Sequence, residues 1–411
     1  MTSRERVRAV LNHEKPDQLC IDFGANRSSG IGAHAYNELK KYLGYSEKTT
    51  KVYDLMQQLA LPEPFMVERF GGDLMQVLQL KPFYGIRLDR WKCSRLPSGE
   101  DSLVPYDFHP VVNGRGDYEI YDEAGVCLAR RPAQGIYYDN MNYYLSEVGT
   151  LEELKEIMRL PQITEEELVF LEVQARELYY NTEKALSMHV GCAIFEQGQQ
   201  DFGFENFYYN LAAEKELVHY WAAAMTDAYC AILEKILDRV GKYVDIVFFG
   251  GDDMGTQQAA QLSTDMYREM IKPCHKKMYQ FVRKKAPDVK VGLHCCGAIH
   301  SLIPDLIDAG VQVLNPVQIS ARGMDPQMLK REFGKELVFW GGGADMQGFV
   351  NDTSDAEKIY EHVRGLLDIF APDGGYIFAP VHNILDNIGP DKVLAIYRAA
   401  LDYREEHRKS S

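Results

Sequence analysis

The sequence predicts an α/β fold, a single (β/α)8 TIM barrel with a β-hairpin insertion near residues 82–150, occupying residues 1–411 as one domain. From about residue 185 onward, short apolar runs alternate with longer amphipathic stretches, the spacing of βαβ units around a parallel sheet. With two earlier runs included, the count of candidate strands reaches eight, the number that closes a barrel. The length of 411 residues exceeds the usual domain, but α/β barrels use such lengths as one unit. An open doubly wound sheet is the alternative architecture.

At the start, Thr2 and Glu5 fit a capping box that opens a short helix ending before Pro16. "QLCIDFGA" (18–25) reads as the first strand, and a weaker one falls near residues 75–80. Residues 82 to about 150 break the rhythm, and "DYEIYDEAGVCLARR" (117–131) reads as a β-hairpin turning at Glu123-Ala124-Gly125. "DNMNYYL" (139–145) suits a cover for the barrel mouth or an interface. Six further strands follow: "ALSMHVGCAIF" (185–195), "YVDIVFFGG" (243–251), "VKVGLHCCG" (289–297), "VQVLNPVQ" (311–318), "LVFWGGGAD" (337–345) and "YIFAPVHN" (376–383). Between them, residues 263–286 and 353–371 carry helical periodicity.

A net charge of −15 argues against a nucleic-acid footprint and against a basic membrane-docking surface. The N-terminus has no apolar signal core and no later run approaches a membrane span, so a cytoplasmic location is expected. The eight cysteines are scattered rather than framework-like, which suits reduced thiols. "GDDMG" (251–255) and "GGGAD" (341–345) are too short to mark a phosphate loop.

"GLHCCGAIH", from Gly292, places four potential metal ligands close together. If it leaves a strand, His294 and Cys296 share one face while Cys295 points away. That geometry favours a His-x-Cys ligand pair over a disulfide between neighbours, and zinc accepts both donor types. Taken alone, however, a buried thiol beside a hydrogen-bonded histidine is the commoner outcome. The positions of other polar residues add weight. Asp252, Asp253, Asn315, Gln318, Asp345, His382 and Asn383 all follow proposed strands, and strand C-termini converge on one mouth in a barrel. Asp253 and Asp345 serve equally well as helix N-caps, whereas no helix after His382 needs a cap there. His275 and His362 fall on helical patterns and are expected to be solvated or partly packed. Cys230 and Cys274 read as small core residues, and His189 and Cys192 as packing residues with a mouth-facing alternative.

The residues then fit a known pattern. "TSRERVRAVLNHEKPDQ", "IDFGANRSSGIGAHAYNELKKYLG", "GFENFYYNLA", "FFGGDDMGTQ", "MYREMIKP", "LHCCGAIHSLIPDLIDAGVQVLNPVQ", "LVFWGGGADMQ" and "GGYIFAPVHNI" run nearly end to end. With these the chain resembles the uroporphyrinogen decarboxylase superfamily, and within it the branch of cobamide-dependent methyltransferases. The decarboxylases carry an arginine-bearing "RQAGR" signature near the N-terminus. Here the corresponding region is "DFGANRSSG", which retains Arg27 alone, too few cations for a substrate with so many carboxylates.

The methyltransferase branch implies zinc held by a His-x-Cys pair and a further ligand after the last strand. His294 and Cys296 match the pair, and His382 stands where that branch usually has cysteine. Asp253 and Asn315, which follow proposed strands, are expected to orient ligand groups at the mouth. No "DxHxxG" cobalamin motif is present, so the corrinoid is expected on a partner protein, with a small-molecule methyl donor or thiol acceptor completing the reaction. A decarboxylase of a smaller carboxylated substrate and a non-catalytic ligand- or corrinoid-binding barrel are the other readings.

Overall fold

Cys20–Ile21 (β1), Leu74–Val77 (β2), Ala185–Gly191 (β3), Ile246–Gly251 (β4), Lys290–His294 (β5), Val313–Asn315 (β6), Val338–Trp340 (β7) and Tyr376–Phe378 (β8) form one parallel sheet in a computed structural model. The structure describes residues 1–45 and 49–408. The strand order, β1-β8-β7-β6-β5-β4-β3-β2, is that of a barrel opened at a single seam. Each strand overlaps a run expected from the sequence. These runs are apolar on successive residues because both faces of a parallel sheet are covered.

The seam between β1 and β2 is bridged by one aspartate. The Asp73 backbone N–H donates to the Ile21 carbonyl at 2.7 Å. Its carboxylate accepts from the Ile21 N–H at 2.9 Å and from Arg6 and Arg404, each at 2.6 Å. Ser3 adds a hydroxyl at 2.8 Å, and Asp73 is itself buried.

Inside the barrel, alternate strand residues such as Leu74, Ala185, Ile246, Val313, Val338 and Ile377 pack into one apolar cluster. Phe248 and Trp340 meet edge to face in it, with centroids 5.0 Å apart. The Phe248 ring fits only because β5 offers Gly292, where a Cβ would stand 2.6 Å from it. Helix Ser3–Leu11, opened by the Thr2/Glu5 capping box, plugs the strands' starting end with Val7, Val10 and Leu11. Arg8 fastens it at 2.7 Å to Asp245, just ahead of β4. The opposite end, where the strands finish, is left for chemistry.

The expected hairpin is present: Tyr118–Tyr121 pairs antiparallel with Cys127–Arg131, and Asp122 accepts from the Ala124 and Val126 N–H groups across the turn. The insertion is larger than a hairpin. This pair belongs to one four-stranded sheet, and a second combines Trp91–Arg95 and Asp101–Pro105 with Thr50–Asp54 and Leu59–Ala60. The second sheet therefore ties the insertion to chain that precedes it.

The helix expected over 263–286 has a wide π-type turn at Tyr267–Ile271 ahead of Pro273, which has no N–H to donate. The other expected helix spans Ala356–Phe370, capped by Asp355. All eight cysteines are unpaired. Among the described residues, no helix is long and apolar enough to cross a membrane.

Candidate metal centre

At the finishing end of β5, pleating sends Gly292 and His294 toward the barrel interior and Leu293 and Cys295 toward the helices. Cys295 is buried in the helix-side core, where its sulfur accepts from the Met254 N–H at 3.4 Å. Just past the strand, Cys296 returns to the inner side, its Sγ 3.4 Å from His294 Nε2. His382, beyond β8, brings its ring centroid to 5.7 Å from that of His294. One donor atom from each of His294, Cys296 and His382 lies within 4.8 Å of the others.

This spacing can be tested against a tetrahedral ion. Bond lengths of about 2.0–2.1 Å to nitrogen and about 2.3 Å to sulfur, at the tetrahedral angle, separate N and S by about 3.5 Å. The observed 3.4 Å fits.

His294 is oriented from behind. Its Nδ1 lies 3.0 Å from Asn315 Oδ1, on the neighbouring strand at the same register level. The Asn315 amide N–H donates to the Trp340 carbonyl at 3.0 Å, which turns Oδ1 toward the histidine. An acceptor at Nδ1 puts the ring proton there and leaves the Nε2 lone pair free to bind. Ser28 also hydrogen-bonds to that oxygen. Asn315 is fully buried, so it touches His294 and not the open mouth.

Asp253 sits in front. Its Oδ1 accepts from the Cys296 N–H at 2.7 Å and lies 3.5 Å from His294 Nε2. It thus fixes the Cys296 turn rather than capping a helix of its own. Asp345 is not the N-cap of helix Phe349–Asp352, which is Gly348, but its carboxylate accepts from the Gly348 and Phe349 N–H groups at 3.2 Å each. Asp252 caps at a distance, taking the N–H groups of Ile194 and Glu196 at 3.0 and 2.9 Å.

The electrostatics keep the His382 and His189 imidazoles neutral and the Cys296 thiol protonated until a cation arrives. Burial, and then the neighbouring His294, push His382 down to about 4. His189, at the end of β3, is held well below the ordinary histidine range by burial and by Arg27. Burial and the nearby Asp253 carboxylate hold the Cys296 thiol well above its usual range. Arg27 reaches the same mouth, with its Nε 2.9 Å from Asp54 and its guanidinium over the Phe83 ring at 4.4 Å.

Two features differ from the sequence expectations. His275 is not solvated; it is fully buried, with Nε2 2.7 Å from Asp252 and Nδ1 3.1 Å from the Tyr267 hydroxyl. Helical periodicity places it on a helix but cannot show that this face turns to an acid just past the end of β4. Glu196 was passed over. It opens helix Phe195–Phe202 directly after β3, and an acid so soon after a barrel strand was the available signal.

The sequence model for "Uroporphyrinogen decarboxylase (URO-D)" matches residues 191–403. The chain belongs to the uroporphyrinogen decarboxylase family. The matched stretch begins where β3 ends and includes all three ligand candidates of this family member. A solved methyltransferase from Methanosarcina mazei is similar in fold, with a TM-score of 0.58 and 14% identity over 98% of this chain and 99% of that one. Xylanase 10B from Thermotoga maritima aligns with a TM-score of 0.36 and 11% identity over 60% of this chain and 80% of its own. No curated protein matches the sequence.

Proposed function

We propose that this chain is a zinc-dependent methyltransferase. It would exchange a methyl group between a small methylated substrate or thiol and a corrinoid cofactor carried by a partner protein. The observation that carries this reading is the N,S,N donor set of His294, Cys296 and His382, with His294 oriented by Asn315. Family membership and the fold shared with the Methanosarcina mazei methyltransferase support it.

Bound by these donors, zinc would supply Lewis acidity, favouring the ionised form of a thiol or drawing charge from a substrate oxygen or nitrogen. Three protein ligands leave a fourth position for water or substrate, the arrangement of a catalytic rather than a structural site. Cys296 and His294 hold their places through Asp253 and Asn315, and His382 enters as a neutral imidazole ready to coordinate. The ligands position the reaction and are not themselves methylated.

Mixed with cob(I)alamin and a panel of methoxy, methylamine and methylthio compounds, zinc-loaded protein should form methylcobalamin from at least one class, read from its visible spectrum. With methylcobalamin and thiols, the reverse transfer is the corresponding assay. Absence of exchange in both directions, with free cobalamin and with a corrinoid protein, would sink the proposal in favour of a binding protein.

Uroporphyrinogen should not be decarboxylated. Arg27 is the cation that remains of the arginine signature, and it is paired with Asp54. Formation of coproporphyrinogen by the pure protein would reverse that conclusion.

The Asn315 contact gives a graded test. Asn315→Ala leaves all three ligands in place but frees the His294 ring, and loss of such a supporting partner weakens metal affinity by about 10–100-fold. Competition with a chromophoric chelator measures it. An unchanged affinity would show that Asn315 does not orient the ligand.

A further inference from the structure

We infer that Glu196 is the proton donor to the departing oxygen of a methyl–oxygen substrate, so that the methyl donor is methanol or a methyl ether. The inference rests on the methyl-transfer reading above and narrows it to one substrate class.

The geometry begins at the backbone. The Glu196 N–H is held by Asp252 at 2.9 Å, which fixes the root of the side chain at the exit of β3. The carboxyl then reaches across β4. A Cβ at Gly251 would stand 2.6 Å from Glu196 Oε2, so this glycine makes the room the carboxyl occupies. Gly251 is the register partner of His294, and Glu196 Oε1 lies 3.4 Å from the N–H of Asp253. Asp253 is also the residue whose carboxylate approaches His294 Nε2 at 3.5 Å. Glu196 therefore stands beside the donor set without being one of its members.

An acid in the first turn of a helix is ordinarily favoured as the anion by the helix dipole. Here the carboxyl faces Asp253 and Asp252, and among the described residues it forms no ion pair with a lysine, arginine or histidine. Burial and those two carboxylates raise it well above the usual range, against a weaker opposing effect of Arg27. Neighbouring acids whose surroundings separate their proton affinities are a recurring source of a general acid at neutral pH.

A thiolate leaves without help at neutral pH, whereas an alkoxide is too basic to leave unprotonated. A positioned acid therefore suits carbon–oxygen cleavage. The cob(I)amide electron pair forms the cobalt–carbon bond, and the carbon–oxygen bond breaks with its pair remaining on oxygen. The Glu196 proton moves to that oxygen. The products are methylcobamide, the free alcohol (water, from methanol) and a Glu196 carboxylate, which solvent reprotonates.

Two readouts test this, one of them independent of turnover. The infrared spectrum of the purified protein at neutral pH, minus that of Glu196→Gln, should show a protonated carboxyl stretch. The variant should retain wild-type zinc content, yet transfer methyl from methanol or methyl ethers about 10²–10⁴-fold more slowly. Glu196→Asp should recover part of the rate and keep a carboxyl band. Absence of the band, or wild-type rates for Glu196→Gln with oxygen donors, overturns the assignment. Wild-type protein that exchanges methyl only with sulfur or nitrogen compounds overturns it too, while the methyl-transfer reading stands. No exchange with any compound defeats that broader reading, and this one with it.

Discussion

Protein purified from zinc-supplemented medium will carry about one zinc per chain, Cys296→Ala will lose it, and Cys295→Ala will keep it. The two thiols are adjacent in sequence but separated by the pleat. Cys296 lies 3.4 Å from His294 Nε2, whereas Cys295 is enclosed in the helix-side core. Structural zinc sites with four protein ligands bind with about 10–16 kcal/mol, or roughly 2.5–4 kcal/mol per ligand. Losing the single thiolate should therefore cost on the order of a hundredfold to a thousandfold in affinity. Metal analysis by atomic emission, after dialysis against a mild chelator, separates the variants. Equal zinc in both would end the assignment of Cys296 as a ligand.

Asp73→Ala will destabilise the fold by about 3–5 kcal/mol, the usual cost of removing one member of a buried ion pair. That is a large share of the roughly 5–15 kcal/mol that holds a domain together. The variant removes the carboxylate partner of Arg404, leaves Arg6 with Asp17 alone, and removes the acceptor for the Ile21 N–H. Urea unfolding followed by circular dichroism measures the loss. A change below about 1 kcal/mol would mean that the remaining contacts hold the β1–β2 seam without this carboxylate.

All eight barrel strands were legible because each is a short apolar run followed by a turn or helix, a pattern local to the chain. The second sheet of the insertion was not. Thr50–Asp54 pairs in parallel with Asp101–Pro105 across a long intervening segment, and no short window contains both partners. The placement of His294 and Cys296 followed from two-residue alternation alone. Asn315 was visible as a polar residue ending a strand, but its task behind His294 depends on the register between β5 and β6. Glu196 depends on a different part of the chain, since its meaning comes from Gly251 at the end of β4 and from Asp252 and Asp253 just past it. His275 was misread for the same reason: its partner Asp252 lies on another element.

The carboxylate of Asp73 also has a consequence for the order of assembly. It receives Arg6 from helix Ser3–Leu11 and Arg404 from helix Pro390–Arg408. On the ribosome these cations are made far apart in time. A nascent chain that has emerged as far as β8 already has its plug and every strand, yet lacks the guanidinium that completes the lock at the β1–β2 edge. Contacts so distant in sequence form slowly and late. The lock on β1 is complete only when helix Pro390–Arg408 arrives.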